Sequence, residues 1–226
     1  MHERVPDNGR RIPGGPFPEQ FRAAAPEVVR LNRAHGTLLP IVVLATVLLA
    51  GCGAGMTAAE LDASYRNALE ESAPNARRMD EDPERLEAAV AGVREYFSDV
   101  TSASVRELTA QVYAPDAYLN DNLAALRGAD AIETYFLDAM ESADILRVEF
   151  LATAVDGIDV YVRWRMHMEI PALNRGDPML SYGMTQFRFD EAGRVLLHKD
   201  FWDSGSGFFE YVPVVGRVIR HLRPAH

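Results

Sequence analysis

The chain has 226 residues, 48% of them apolar and 25% charged, with a formal net charge of −10. That length suits one globular domain with appendages, and the balance excludes wholesale disorder and a polytopic membrane protein. The acidity argues against a general nucleic-acid binder, so no nucleic-acid partner is expected. A single cysteine, Cys52, rules out an internal disulfide framework and a multi-cysteine metal site.

Thr37 to Ala50 is an uncharged run of 14 residues, with Arg30, Arg33 and His35 just before it. A span needs roughly 20 apolar residues, so the run fits the apolar region of a secretory signal instead. Leu49-Ala50-Gly51-Cys52 resembles the bacterial lipobox. The resemblance implies that Cys52 is lipidated and becomes the first mature residue, on the extracytoplasmic side of the cell envelope. The alternatives are an ordinary signal, or a buried helix ending in Gly-Cys. Residues 1–36 are too long and too polar for a basic leader. Translation is therefore expected to begin downstream, at Val28, Val29 or Leu31, with 1–27 untranslated.

Four segments follow: a leader and signal over 1–51, a tether over 52–82, a domain over 83–204 and a helical tail over 205–226. In the tether, Leu61, Tyr65 and Leu69 recur at helical spacing. Asp82-Pro83 is a helix start, with Asp as cap and Pro at the first helical position. Leu86, Ala89, Val90, Val93 and Phe97 then share one face. Ser104-Val105-Arg106-Glu107 predicts a capping box and a second helix to about Gln111. Val112 to Asn122 is extended and broken at Pro115. Gly128 and Asp130 open a third helix bearing Ile132, Tyr135, Phe136, Ala139 and Met140 on one side.

After Ala143 the period changes to two. Leu146-Val148-Phe150 and Val160-Val162-Trp164-Met166-Met168 alternate with polar residues, and Asp156-Gly157 between them is a hairpin turn signal. Gly183–Phe189 and Val195–Trp202 form two more strands, joined through Asp190–Gly193. Helices followed by hairpins predict an α+β fold, with the helices on one face of a curved sheet.

This order resembles the nuclear transport factor 2-like superfamily, which includes SnoaL-like and ketosteroid isomerase-like domains. Local matches are Val112–Asp116 through Asn120-Asp121, Leu126–Ile132, and His198–Asp203. They cover about 82–203. The resemblance implies a cone-shaped, curved antiparallel or mixed sheet, with three N-terminal helices packed on its concave face. It also implies pairing of exposed sheets as homodimers. This superfold hosts enzymes, binding modules and docking domains alike.

In the enzymatic relatives an acid near Asp116 or Asp121 acts as general base in an apolar pocket. A desolvated carboxylate there exchanges protons near neutral pH. Pro115-Asp116 and Asn120-Asp121-Asn122 equally suit turns, and Asp116 is assigned to one. His198, Asp200 and Trp202 share one strand face, placing a titratable pair beside an aromatic wall. Asp121, His198 and Asp200 are thus the candidate catalytic residues. As metal ligands, His198, Asp200 and Asp203 lack a fourth partner, so neither metal nor cofactor is expected. Trp164, Met166 and Trp202 are candidate ligand contacts, with Arg163, Arg165 and His167 outside. Tyr113, Tyr118 and Tyr182 are candidate phenol donors, Tyr113 also a ligand contact.

Val214 to Arg223 carries Val214, Val215, Val218, Ile219 and Leu222 on one side and Arg217, Arg220, His221 and Arg223 around the other. The stripe is expected to pack back on the domain; resting on anionic lipid is the other reading. The sequence thus favours a lipid-anchored protein whose domain binds a small apolar ligand or a protein partner. The alternative is an isomerase, dehydratase or cyclase-like enzyme.

Overall fold

The computed structural model describes residues 56–174 and 177–223. The signal segment, the lipobox and Cys52 lie outside them. Among the described residues no helix is long and apolar enough to cross a membrane.

Helix α1 (Ala58–Ser72) opens with a capping box between Thr57 and Glu60. Helix α2 (Pro83–Ser98) starts where expected, with the Asp82 side chain accepting from the Arg85 N–H. Helix α3 (Ser102–Val112) begins earlier than its expected box. Thr101 is the cap, and Ser104 is its reciprocal partner already inside the first turn. Strands β1 (Tyr113–Asn120) and β2 (Ala125–Arg127) lead into α4 (Ala129–Ser142). Pro115 does not break β1; the pairing with β6 is irregular between Tyr113 and Tyr118, where a missing N–H is tolerated.

Four long strands follow: β3 (Ile145–Asp156), β4 (Asp159–Glu169), β5 (Met179–Phe189) and β6 (Val195–Trp202). Strand β5 thus starts earlier than the predicted Gly183. The six strands run in the order β2-β1-β6-β5-β4-β3. β1 and β6 are parallel, and the remaining pairs are antiparallel.

Alternation along each strand assigns the faces. On β4, Val160, Val162, Trp164 and Met168 are buried while Arg163 and Arg165 are exposed. Helices α2, α3 and α4 close this inner face, packing Val93, Tyr96, Phe97, Val105, Ile132 and Phe136 into one core with Phe187 and Leu196. The expected arrangement of three helices on one side of a mixed sheet is therefore present. Helix α1 is a fourth, on the opposite face. There Ala68 packs on Tyr118 and Leu197, and Tyr65 donates to Gln186. Arg188 donates to the Leu69 carbonyl at 2.6 Å while paired with Asp159 at 2.6 Å. A stretch predicted as tether thus covers part of the outer sheet. Leu180, Tyr182 and Met184 beyond it stay exposed, and Phe201 meets the Tyr65 ring of α1 edge-on.

After β6, Asp203 caps the short α5 (Ser204–Gly207), and the chain ends in α6 (Val215–Leu222). The expectation that the apolar stripe packs back is overturned. Val214, Val218 and Leu222 are 72%, 55% and 73% exposed, whereas Gly216 is buried. The polar side is what attaches: Arg220 donates to the Glu210 carbonyl at 3.1 Å and Arg223 to Asp203 at 2.6 Å. Gly216 lies so close to that carbonyl that a Cβ would clash. The stripe is thereby turned outward.

Candidate functional site

Between the inner sheet face and helices α2 and α4 lies a cavity of about 260 Å3. Its walls are aromatic and aliphatic, among them Phe97, Phe136, Phe150, Phe187, Leu146 and Met166. Such a lining with few polar groups is the ordinary make-up of a small-molecule site, here just below the usual size range.

Two indoles form part of the wall because the backbone beside them lacks side chains. The Trp164 and Trp202 ring centroids are 6.3 Å apart. A Cβ on Gly183 would sit 2.4 Å from the Trp164 ring and 2.8 Å from Trp202 Cβ. One on Gly207 would sit 2.6 Å from the Trp202 ring. Each indole N–H is engaged: Trp164 donates to Thr185 Oγ1 at 2.8 Å, and Trp202 to the Asp121 backbone carbonyl at 2.7 Å. The second bond ties the end of β6 to the loop after β1.

The polar groups form two braced carboxylates. Asp121 Oδ1 accepts the N–H groups of Leu123 at 2.9 Å and Ala124 at 2.8 Å, and Oδ2 accepts the Tyr135 phenol at 2.5 Å. Burial first, then the Asp121 charge, pushes the Tyr135 phenol far above its ordinary range, so it keeps its proton and donates. Asp200 Oδ1 accepts from the Thr185 hydroxyl and lies 3.0 Å from His198 Nε2. Because a carboxylate only accepts, Nε2 carries the proton. Nδ1 then accepts from Tyr113 Oη at 2.9 Å. Burial raises the Tyr113 phenol well above its usual range, which holds its proton in place. Asp200 Oδ2 has no protein partner among the described residues.

Asp121, His198, Asp200, Trp164, Met166 and Trp202 all line this one cavity. Tyr113, expected as a ligand contact, does not. It pairs opposite Val195, deeper in the sheet, is 1% exposed, and sits behind His198 as its hydrogen-bond partner. Neither of the other candidate phenols reaches the cavity. Tyr118 packs under α1 on the outer face, and Tyr182 is 64% exposed. The phenol present is that of Tyr135, which reads as a core residue in the sequence because it shares a helical face with Ile132 and Phe136. Thr185 has only its period-two position inside β5 as a signal in the sequence. Asp116 is exposed, and Asp203 is engaged in capping α5.

Residues 93–198 match the family model described as the SnoaL-like domain. This stretch is a SnoaL-like domain. Its matched boundaries run from Val93 on α2 to His198 on β6, so most of the cavity wall lies within it. Among curated proteins no sequence matches the chain. The SnoaL-like domain is similar to several solved structures. A protein of ketosteroid isomerase-like fold from Catenulispora acidiphila, in complex with trimethylamine, has 13% identity and a TM-score of 0.49, covering 57% of this chain and 95% of its own. An LEH-like epoxide hydrolase from M. tuberculosis has 15% identity and a TM-score of 0.46, covering 62% and 97%. TsrD from Streptomyces laurentii has 12% identity and a TM-score of 0.47, covering 58% and 97%.

Proposed function

We propose that the SnoaL-like domain is the ligand-binding part of a lipid-anchored protein of the bacterial cell envelope, and that it holds a small apolar ligand in the cavity described. The observation that carries this reading is the pairing of an aromatic wall with engaged donors. Proton abstraction next to a carbonyl needs a donor aimed at the developing oxyanion. Here the Tyr135 phenol, both indoles, the Thr185 hydroxyl and His198 Nε2 already have partners. A second reading, general-base chemistry at Asp200, draws on its free Oδ2. It would appear as solvent deuterium entering a bound carbon acid and stopping in Asp200→Asn.

The test of binding is built into the chain, since its two tryptophans, Trp164 and Trp202, both line the cavity. Titration with small apolar compounds is expected to change tryptophan emission saturably and to raise the melting temperature. Ala139→Phe, which fills the cavity from α4, should abolish both effects. Emission that never saturates across such a panel would overturn the reading.

The anchor rests on the lipobox resemblance and on the apolar run before it. Metabolic labelling with palmitate should mark the chain and spare Cys52→Ser. Labelling of both or of neither removes the anchor. The homodimer would use Leu180, Tyr182 and Met184, the strip of outer sheet that α1 leaves open. Tyr182→Glu should then convert a dimer to a monomer in sedimentation, and a monomeric parent protein removes that partner.

A further inference from the structure

The polar end of the cavity has one sign and one hydrogen-bonding character. Its lining includes two carboxylates, Asp121 and Asp200, and neither Arg nor Lys. Both oxygens of Asp121 are occupied, by two backbone N–H groups and the Tyr135 phenol. On Asp200 only Oδ1 is, by Thr185 and His198. Oδ2 is left as a charged acceptor without a protein donor among the described residues, on a side chain 15% exposed. The hydroxyl of Ser142, the lining group outside these networks, stands at the exposed end of α4.

Resting on the ligand-binding reading above, we infer that the ligand of this cavity is a small apolar amine, bound as its ammonium ion by Asp200 Oδ2. Asp200 Oδ2 is not sealed from solvent. An apolar ligand that displaces its water must return an opposite charge and a donor, because a carboxylate left bare against an apolar space is costly. An ammonium supplies both. The indoles favour the same occupant. Trp202 follows Asp200 on the same face of β6, and Trp164 reaches Thr185, which bonds Asp200. Aromatic faces attract cations, and the attraction strengthens where water is excluded. A carboxylate or phosphate ligand would meet repulsion from Asp121 and Asp200 with neither Arg nor Lys in the lining to receive it. A neutral acceptor such as a ketone would find its donors already committed.

The experiment uses three probes of similar shape, followed by tryptophan emission on the full chain. N,N-dimethylbenzylamine is protonated at neutral pH, isobutylbenzene is its hydrocarbon counterpart, and phenylacetate carries the opposite charge. The amine should bind about tenfold or more tightly than the hydrocarbon, the ratio expected of a charge-assisted hydrogen bond, and phenylacetate should not bind. Asp200→Asn keeps the shape, lets an amide oxygen receive Thr185 and His198, and turns an N–H toward the ligand. It should bring the amine down to the hydrocarbon's affinity and leave the hydrocarbon unchanged. Equal binding of amine and hydrocarbon by the parent protein overturns the amine assignment while the ligand-binding reading stands. Tighter binding of phenylacetate overturns it as well. Saturable emission from none of the three overturns the ligand-binding reading and this inference with it. The parent series decides even if Asp200→Asn does not fold.

Discussion

A side chain that is absent shapes the cavity as much as those present. Gly183 lies on β5 directly under the Trp164 ring, and its register partners there are Trp164 and Trp202. Alanine at 183 would place a Cβ 2.4 Å from Trp164 Cζ2, far inside van der Waals contact. The indole must swing away, breaking its bond to Thr185 and loosening the brace on Asp200. Gly183→Ala is therefore expected to destabilise the domain by about 1–3 kcal/mol, the usual cost of overpacking, measured as a lower urea midpoint. Its tryptophan emission should shift to the red as the ring meets water. An unchanged midpoint and spectrum would show that the ring adapts without cost. Tyr135 gives a related case. Removing its hydroxyl in Tyr135→Phe leaves Asp121 Oδ2 without a donor, and a hydrogen bond to a charged group contributes about 1.5–3 kcal/mol.

At the scale of elements, α6 is the helix whose orientation departs from expectation. Two arginines and a buried glycine face the domain, and valines and a leucine face water. An exposed apolar stripe on a helix that also carries Arg217 and His221 suits the boundary of an anionic bilayer. An unlipidated protein starting at residue 54 should float with vesicles rich in anionic phospholipid, and removal of 213–226 should abolish this. Equal flotation of both forms excludes the helix from membrane contact. The other elements show what the sequence makes legible. Helices α2 and α4 and strands β3 to β6 are recoverable because their period directly records which residues are buried. The Asp82-Pro83 start is recoverable because its chemistry is local. The position of α1 is not, since its amphipathic face says that it packs somewhere and nothing about which side of the sheet. The cavity was half legible for the same reason. His198, Asp200 and Trp202 share a face by strand period alone. The Asp121–Tyr135 bond joins a loop to a helix, and Tyr113 lies behind His198 through pairing of β1 with β6, strands distant in sequence.

For the molecule as a whole, three buried phenols couple folding to alkaline pH. Burial raises Tyr96 to about 12, and raises Tyr113 and Tyr135 as well. Unfolded tyrosine loses its proton near about pH 10, so above that value the unfolded chain binds fewer protons than the folded one. The stability these groups contribute is fully present below about pH 10 and is lost as pH rises through their folded values. Lys199 acts in the opposite sense, because desolvation lowers it and the unfolded chain holds its proton more tightly. With these three phenols, and those of Tyr65 and Tyr161 raised in the same sense, against one amine, the urea midpoint should fall steeply between about pH 10 and pH 12. A midpoint that holds steady across that interval would contradict the burial of these phenols.

Lys199 has a further consequence. It is the sole lysine of the chain, it is 8% exposed, and its ammonium group donates to the side-chain carbonyls of Asn120 and Asn122. Strand β6 lies between β1 and β5, inside the sheet. A protease specific for lysine thus has one place to cut, and a reagent specific for amines has one side chain to mark. Both are closed to it while the sheet is intact. The rate of either reaction becomes a clock for the opening of β6, and cleavage there would divide the polypeptide between His198 and Asp200 and so separate the two residues that brace each other.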